Sequence, residues 1–191
     1  MARPPSPPLI LASTSPQRRA ILEQLRIPFD VVAPDYEEEP GVDPVEHARA
    51  KARSVAAGAG DRPVLGVDTE VLCDGRLLGK PRDEADAAEM LNALAGRTHE
   101  VVSGLCLVTP AWEEVGREAT RVTFRTLTPR DIATYVAAGE WQGRAGAYAV
   151  QGFGASLVER IEGDYLNVVG LPASLLVRLL AERFSGTYGF G

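Results

Sequence analysis

The 191-residue sequence predicts an α/β fold built on a mixed sheet. Short apolar runs at Leu9–Leu11, Phe29–Val32 and Val64–Val67 alternate with stretches whose apolar residues recur at helical spacing, the order of an α/β chain. Asp74-Gly75, set between Val71-Leu72 and Leu77-Leu78, reads as a hairpin turn, so part of the sheet is antiparallel. With 45% hydrophobic and 24% charged residues, the chain has the composition of a globular protein able to bury a sizeable core.

The first strand–helix unit is LILASTSPQRRAIL, Leu9 to Leu22. Leu9, Ile10 and Leu11 suit a buried strand, and Ala12 to Thr14 are small enough for a tight turn. Ser15-Pro16 is a helix start: the serine oxygen accepts an N–H of the first turn, and proline suits the first helical position. Ile21, Leu22 and Leu25 then give the helix its core-facing side. Strand, small turn and helix start leave backbone N–H groups converging on one spot at the positive end of the helix dipole. Arg18 and Arg19 stand in that first turn, where cations oppose the dipole unless an anion neutralises them. Two readings stay open here: a phosphate cradle, or an ordinary βα turn with solvated arginines.

Phe29 to Val32 predicts a second strand, ended by Ala33-Pro34. The acidic run Asp35, Glu37, Glu38, Glu39 follows, closed by Pro40-Gly41. Acidic runs are usually solvated loops, but this one leaves the strand that follows the cradle, so a carboxylate could reach the same place. Pro44 to Ala57 predicts a helix with Val45, Ala48, Ala52, Val55 and Ala56 on one side. Lys51, three residues after Ala48 and four before Val55, points with that side, either to snorkel or to emerge in a cleft. His47 reads as solvated on the same helix. In the strand opened by Arg62-Pro63, Asp68 interrupts an apolar run. That is expensive unless the carboxylate is paired, hydrated or metal-bound, and it marks a site more often than an accident of the core. Gly79-Lys80-Pro81 is not a Walker A ending, because Gly75 and Gly79 enclose three residues instead of four and proline replaces the required hydroxyl.

Asp83 caps a helix over DEADAAEMLNALAG, with Ala87, Met90, Leu91 and Leu94 inward and Gly96 as its stop. Val101 to Thr109 and Val115 to Phe124 are strands joined around Pro110-Ala111. Thr128-Pro129 starts a helix with Ile132, Tyr135 and Val136 inward. The stretch GEWQGRAGAYAVQGFGASL is glycine-rich, which points to close backbone approach or unusual dihedrals, or else to a plain surface loop. Ser156 to Ile161 is the next strand, Gly163-Asp164 a turn, and Pro172 opens a last helix, Ala173 to Phe184. Residues 1–191 are expected to form a single domain, with residues 1–8 and 186–191 as flexible ends.

Charge and motif content narrow the function. A formal net charge of −6 disfavours nucleic acid as a partner. No apolar run approaches the roughly 20 residues of a membrane span, and MARPPSPP lacks the apolar core of an export signal. A cytoplasmic protein without a membrane partner is expected. Cys73 and Cys106 lack metal-ligand spacing, His47 and His99 are too few for a histidine-rich metal site, and neither HExxH nor GxSxG occurs. His99, just before a strand, is a candidate structural hydrogen-bonder. Of the 20 Lys and Arg residues, only Lys51 and Lys80 are lysines. Either those positions need a compact ammonium, or chance and codon usage left them. What remains is Glu38 and Asp68, able to hold a divalent metal or activate water, with Arg18, Lys51 and Lys80 able to neutralise phosphate oxygens. Such parts suit metal-assisted attack of water on a phosphoanhydride.

The segments STSPQRRAIL, DYEE, AKA, VDT, GKP, GRTHEV, GAYAVQGFGA and GDYLNVVGLP occur in an order that resembles the Maf family of nucleoside triphosphate pyrophosphatases. The resemblance spans nearly the whole chain, leaving out the ends. It implies a two-lobed α/β fold similar to the inosine triphosphatase group, with a cleft between the lobes. It also implies hydrolysis of nucleoside triphosphates between the α and β phosphates, limiting non-standard nucleotides, with Mg²⁺ or Mn²⁺ as the divalent cation and a homodimer as in many members. Asp68 matches the family's proposed proton acceptor, and Ser13, Arg18, Glu38, Lys51 and Lys80 match its polar cleft set, Glu38 and Asp68 being the implied metal ligands. Gln17, Thr69 and Gln151 match positions tied to base choice. Thr69 and Gln151 look like the branch acting on dTTP and UTP. Gln17 departs from it, since that branch usually has arginine there and the 7-methyl-GTP branch tryptophan. Glu70 and Arg144 depart as well, from an apolar residue and a lysine. An alternative from another class is a nucleotide-regulated interaction protein in septum formation or cell-shape control. Intact Asp68, Lys51 and Lys80 favour the enzyme.

Overall fold

In the computed structural model, residues 7–39 and 41–190 are described; residues 1–6 of the expected flexible start, Pro40 and residue 191 lie outside them. The elements are β1 (Leu9–Ala12), α1 (Pro16–Gln24), β2 (Phe29–Val32), α2 (Pro44–Ala56), β3 (Val64–Cys73), β4 (Arg76–Leu78), α3 (Glu84–Leu94), β5 (Thr98–Val108), β6 (Glu113–Phe124), α4 (Pro129–Ala138), β7 (Val158–Glu162), α5 (Tyr165–Val169) and α6 (Ala173–Phe184). Two 3₁₀ turns, Ala145–Ala147 and Gly152–Leu157, lie between α4 and β7. The strands make a seven-stranded sheet in the order β2-β1-β3-β5-β6-β7, with β4 paired to β3. β1 runs parallel to β2 and β3, whereas β4 is antiparallel to β3 and β7 to β6. The sheet is therefore mixed and the class α/β. Among the described residues no helix is long and apolar enough to cross a membrane.

The helix starts sit where short polar side chains can serve the first N–H groups. Ser15 accepts from Arg18, Asp43 from Val45 and Asp83 from Asp86, while Thr128 and Asp131 close a reciprocal capping box. The elements differ from the sequence expectation in several places. The strand expected from Ser156 begins at Val158 because the preceding residues are wound into the 3₁₀ turn. β5 starts at Thr98, ahead of Val101. Helix α5 was not anticipated: the Asp164 carboxylate accepts from the N–H groups of Leu166 and Asn167 and caps a five-residue helix too short to show a period.

The chain divides into two compact units: Met1–Asp68, Ser103–Glu118 and Gly170–Gly191 in the first, Thr69–Val102 and Ala119–Val169 in the second. In the first unit, Ile10, Ala12, Ala48, Ala52, Val55, Val64, Cys106 and Val108 share one core. Helix α2 lies directly on strand backbone. A Cβ at Gly66 would come within 2.0 Å of the Ala48 carbonyl oxygen, and one at Gly104 within 2.2 Å of the Pro44 oxygen. No side chain fits at either position. Gly66 and Asp68 share a face of β3 because strand side chains alternate. The contact that seats Ala48 and Ala52 over Gly66 therefore brings Lys51 over Asp68. In the 186–191 end, Tyr188 is buried, its ring meets Phe184 edge-on, and its hydroxyl donates to the Pro7 carbonyl at 2.9 Å.

In the second unit, α3 packs against α4 and the Ala145–Ala147 turn. Leu91, Leu94, Phe124, Tyr135 and Tyr148 are among its core residues. His99 sits among them at 2% exposure, Nε2 lying 2.9 Å from the Tyr148 hydroxyl and its ring edge-on to Phe124 and Tyr148. It bonds structurally, and its Nδ1 is buried with no partner among the described residues. Burial lowers its pKa from 6.5 to about 4. Across that window the unfolded chain binds a proton that the folded chain refuses, so stability drops as pH falls, by up to about 3 kcal/mol. Below pH 4 the folded imidazole is protonated too, and the contribution stops changing. His99→Gln keeps a polar group toward Tyr148 but does not titrate. Thermal unfolding followed from pH 7 to pH 4 is expected to show a smaller acid loss in this variant.

Candidate active site

The turn from β1 into α1 is organised by Ser13. Its hydroxyl oxygen is buried and accepts from the Ser15 N–H at 3.2 Å and from Arg18 Nη1 at 3.1 Å. Arg18 Nε donates to the Gly170 carbonyl at 2.9 Å, so the guanidinium is held from two sides at the N-terminus of the helix. Burial pulls its pKa below the ordinary value, and the charges of Asp68 and Glu38 oppose that; an arginine so placed stays charged. Arg19 is exposed, so of the two arginines only Arg18 joins the turn. Gln17 is half-exposed, with Oε1 accepting from the Ser15 hydroxyl at 3.1 Å. Its NH₂ and the second lone pair of Oε1 are the groups it can present to a ligand.

Lys51 is the centre of the second group. It is 5% exposed, and its Nζ donates to Glu38 Oε1 at 2.5 Å and to Asp68 Oδ1 at 2.5 Å. Asp68 is 6% exposed, whereas Glu38 sits in the irregular segment after β2 and keeps an exposed side chain. The carboxylate that interrupts the apolar run of β3 is thus paired, as a buried charge must be. His47, one turn before Lys51, corrects the sequence reading. It is buried, not solvated, because Tyr36 folds against it, with the hydroxyl 2.8 Å from Nδ1 and ring centroids 5.7 Å apart. Its spacing of four from Lys51 was the available signal. Tyr36 carried none, since it lies in a segment without periodicity.

The donor set fits a divalent cation. Glu38 and Asp68 direct two carboxylates at one point, each giving one oxygen to Lys51, and carboxylate oxygens are the ligands that a hard divalent cation takes. His47 and Asp68 offer ligand atoms no more than 4.8 Å apart. Glu70 follows two positions along β3, on the same face by alternation. Burial pushes the Cys106 thiol up to about 12, which keeps it protonated and a poor nucleophile.

The remaining candidates lie in the second unit. Thr69 follows Asp68 on β3 and is half-buried, Lys80 is exposed just after β4, and Gln151 is exposed immediately before the turn Gly152–Leu157. The Gly146 N–H donates to the Gly79 carbonyl at 3.1 Å. This ties the glycine-rich segment to the backbone beside Lys80. Close approach is what the glycines there provide, since a Cβ at Gly146 would press on Val71 at 3.0 Å.

Comparison with known proteins adds the family context. The family model described as Maf-like protein matches residues 8–183. A protein of Moorella thermoacetica named dTTP/UTP pyrophosphatase is 51% identical over 181 residues, covering 91% of this chain and 93% of the relative. One of the same name from Deinococcus radiodurans is 44% identical over 191 residues, covering 97% of each chain. Another from Pyrococcus furiosus is 41% identical over 180 residues, covering 90% of this chain and 93% of the relative.

Proposed function

The chain belongs to the Maf family, and from that premise we propose that it is a nucleoside triphosphate pyrophosphatase preferring dTTP and UTP. Water attacks the triphosphate, the bridge between the α and β phosphates breaks, and the products are a nucleoside monophosphate and pyrophosphate. The observation that carries the reading is the buried Asp68 carboxylate held on Lys51, with Glu38 on the same ammonium.

In this reading Asp68 takes the proton of the attacking water. Lys51 orients the carboxylate and keeps a positive charge beside it. Arg18, fixed by Ser13 and Gly170, and the N–H groups of the first turn of α1 bind phosphate oxygens. Lys80 adds an ammonium to the same task. When bound at Glu38 and Asp68, Mg²⁺ or Mn²⁺ supplies Lewis-acid stabilisation of phosphate charge. Thr69 and Gln151 are assigned to the base, and a nucleotide substrate makes the cytoplasm the working compartment.

Gln17 makes the reading specific to this chain. It offers a neutral amide, its Oε1 partly engaged by Ser15, where an arginine would bring charge and a rigid fork. One such polar contact is worth roughly 1 kcal/mol, a severalfold effect. The test is kcat/KM over a panel of dTTP, UTP, CTP and GTP with Mg²⁺, in the natural protein and in Gln17→Arg. The expected result is dTTP and UTP leading, CTP tolerated, and a severalfold sharper ranking in the arginine variant. Absence of turnover on every triphosphate would contradict the proposed activity, and an unchanged ranking in Gln17→Arg would remove residue 17 from base choice.

A further inference from the structure

We propose that Glu140 is a positioning residue that frees Gln151 to meet the nucleotide base; the proposal rests on the reading above, in which residue 151 contacts the base. The 3₁₀ turn Gly152–Leu157 begins with Gln151 in the N-cap position, at φ −85° and ψ 154°, yet the Gln151 side chain makes no capping bond. A helical start leaves N–H groups that need acceptors, and the capping side chain is the usual one. Here a carboxylate from elsewhere in the chain serves them. Glu140 Oε1 accepts from the Phe153 N–H at 3.0 Å and Oε2 from the Gly154 N–H at 3.0 Å. Gln151 is thereby relieved of the local bond and stands exposed.

Glu140 is itself well anchored. It follows Gly139, the left-handed cap of α4, and precedes the buried Trp141, whose Nε1 donates to the Val136 carbonyl at 3.0 Å. The same helix holds the other side of the loop. The buried Tyr135 hydroxyl accepts the Ala149 N–H at 3.0 Å, and Gly154 lies so close that a Cβ there would come within 1.8 Å of the Ala149 carbonyl oxygen. Residues 149–154 are thus pinned on both sides of Gln151, the one polar side chain among them. A carboxylate is needed for the double grip, because an amide has a single acceptor oxygen and would turn its NH₂ toward the second N–H.

The test uses Glu140→Gln, Glu140→Asp, Gln151→Ala and the double variant Glu140→Gln with Gln151→Ala, assayed on dTTP, UTP and GTP with Mg²⁺. In Glu140→Gln the preference for dTTP and UTP over GTP is expected to fall roughly three- to tenfold, the effect of one polar contact, through KM and with kcat on dTTP little changed. Gln151→Ala is expected to lose a similar factor, and the double variant no more than either, because the two act as one unit. Glu140→Asp keeps two acceptor oxygens and is expected to retain more of the preference; it carries the comparison if Glu140→Gln does not fold. If Gln151→Ala lowers the preference and neither Glu140 variant does, the positioning role is wrong and the base contact stands. If Gln151→Ala leaves the preference untouched, the base contact is wrong and the proposal falls with it. A loss of kcat shared equally by all triphosphates in the Glu140 variants would mark a merely structural residue and also overturn it.

Discussion

Asp68→Asn is expected to lower turnover of dTTP by about 10²–10⁴-fold, the usual share of a general base, while changing triphosphate affinity less. Asparagine keeps the shape of the side chain and an oxygen for Lys51, but its amide cannot take a proton from water. The fold should survive, because Lys51 retains Glu38 at 2.5 Å and no buried cation is left alone. Rapid pyrophosphate assays give the rate, and equilibrium binding of a non-hydrolysable triphosphate gives the affinity. Near-normal turnover would take Asp68 out of the chemistry. Equal losses in rate and affinity would make it a binding group.

The second large effect is that of Lys51→Met on stability and turnover together. Methionine fills much of the same space without charge, so Asp68, 6% exposed, would face Glu38 with no ammonium between them. Removing one partner of a buried ion pair costs about 3–5 kcal/mol, and Arg18, whose charge both carboxylates feel, keeps the expected value at the low end. For a chain of this size that corresponds to a fall of roughly 10 °C in the unfolding midpoint. Turnover measured well below the midpoint should still fall by about 10²-fold, since an oriented charge next to the reacting groups is lost. Calorimetry separates the possibilities. A variant with an unshifted midpoint and reduced phosphate affinity would show that Lys51 serves the substrate alone, and that the pair with Asp68 holds nothing together.

The parts of the site legible in the sequence were those set by local chemistry. Ser15-Pro16 after a short apolar strand announced the turn that seats Arg18, and the spacing of Lys51 from Ala48 and Val55 put its side chain on the buried face. Asp68 stood out because a charge inside an apolar strand needs a partner. The partner itself was not legible, since the approach of α2 to β3 depends on Gly66 and Gly104 being bare, and two isolated glycines in strands have several readings. His47 was misread because Tyr36, which buries it, comes from an irregular segment with no period. Glu140 was invisible for a similar reason. Its bonds run to N–H groups of Phe153 and Gly154, 13 and 14 residues away, and no propensity or spacing rule links them. Helix α5 failed on length, as one and a half turns show no periodicity.

The most direct measurement is the identity of the products. Phosphorus NMR of dTTP incubated with the natural protein and Mg²⁺ resolves the phosphates as they are released. Cleavage between the α and β phosphates gives dTMP and pyrophosphate in equal amounts, in a reaction that Asp68→Asn suppresses. Formation of dTDP and inorganic phosphate, or nucleotide that binds and stays intact as in a nucleotide-regulated interaction protein, would contradict it.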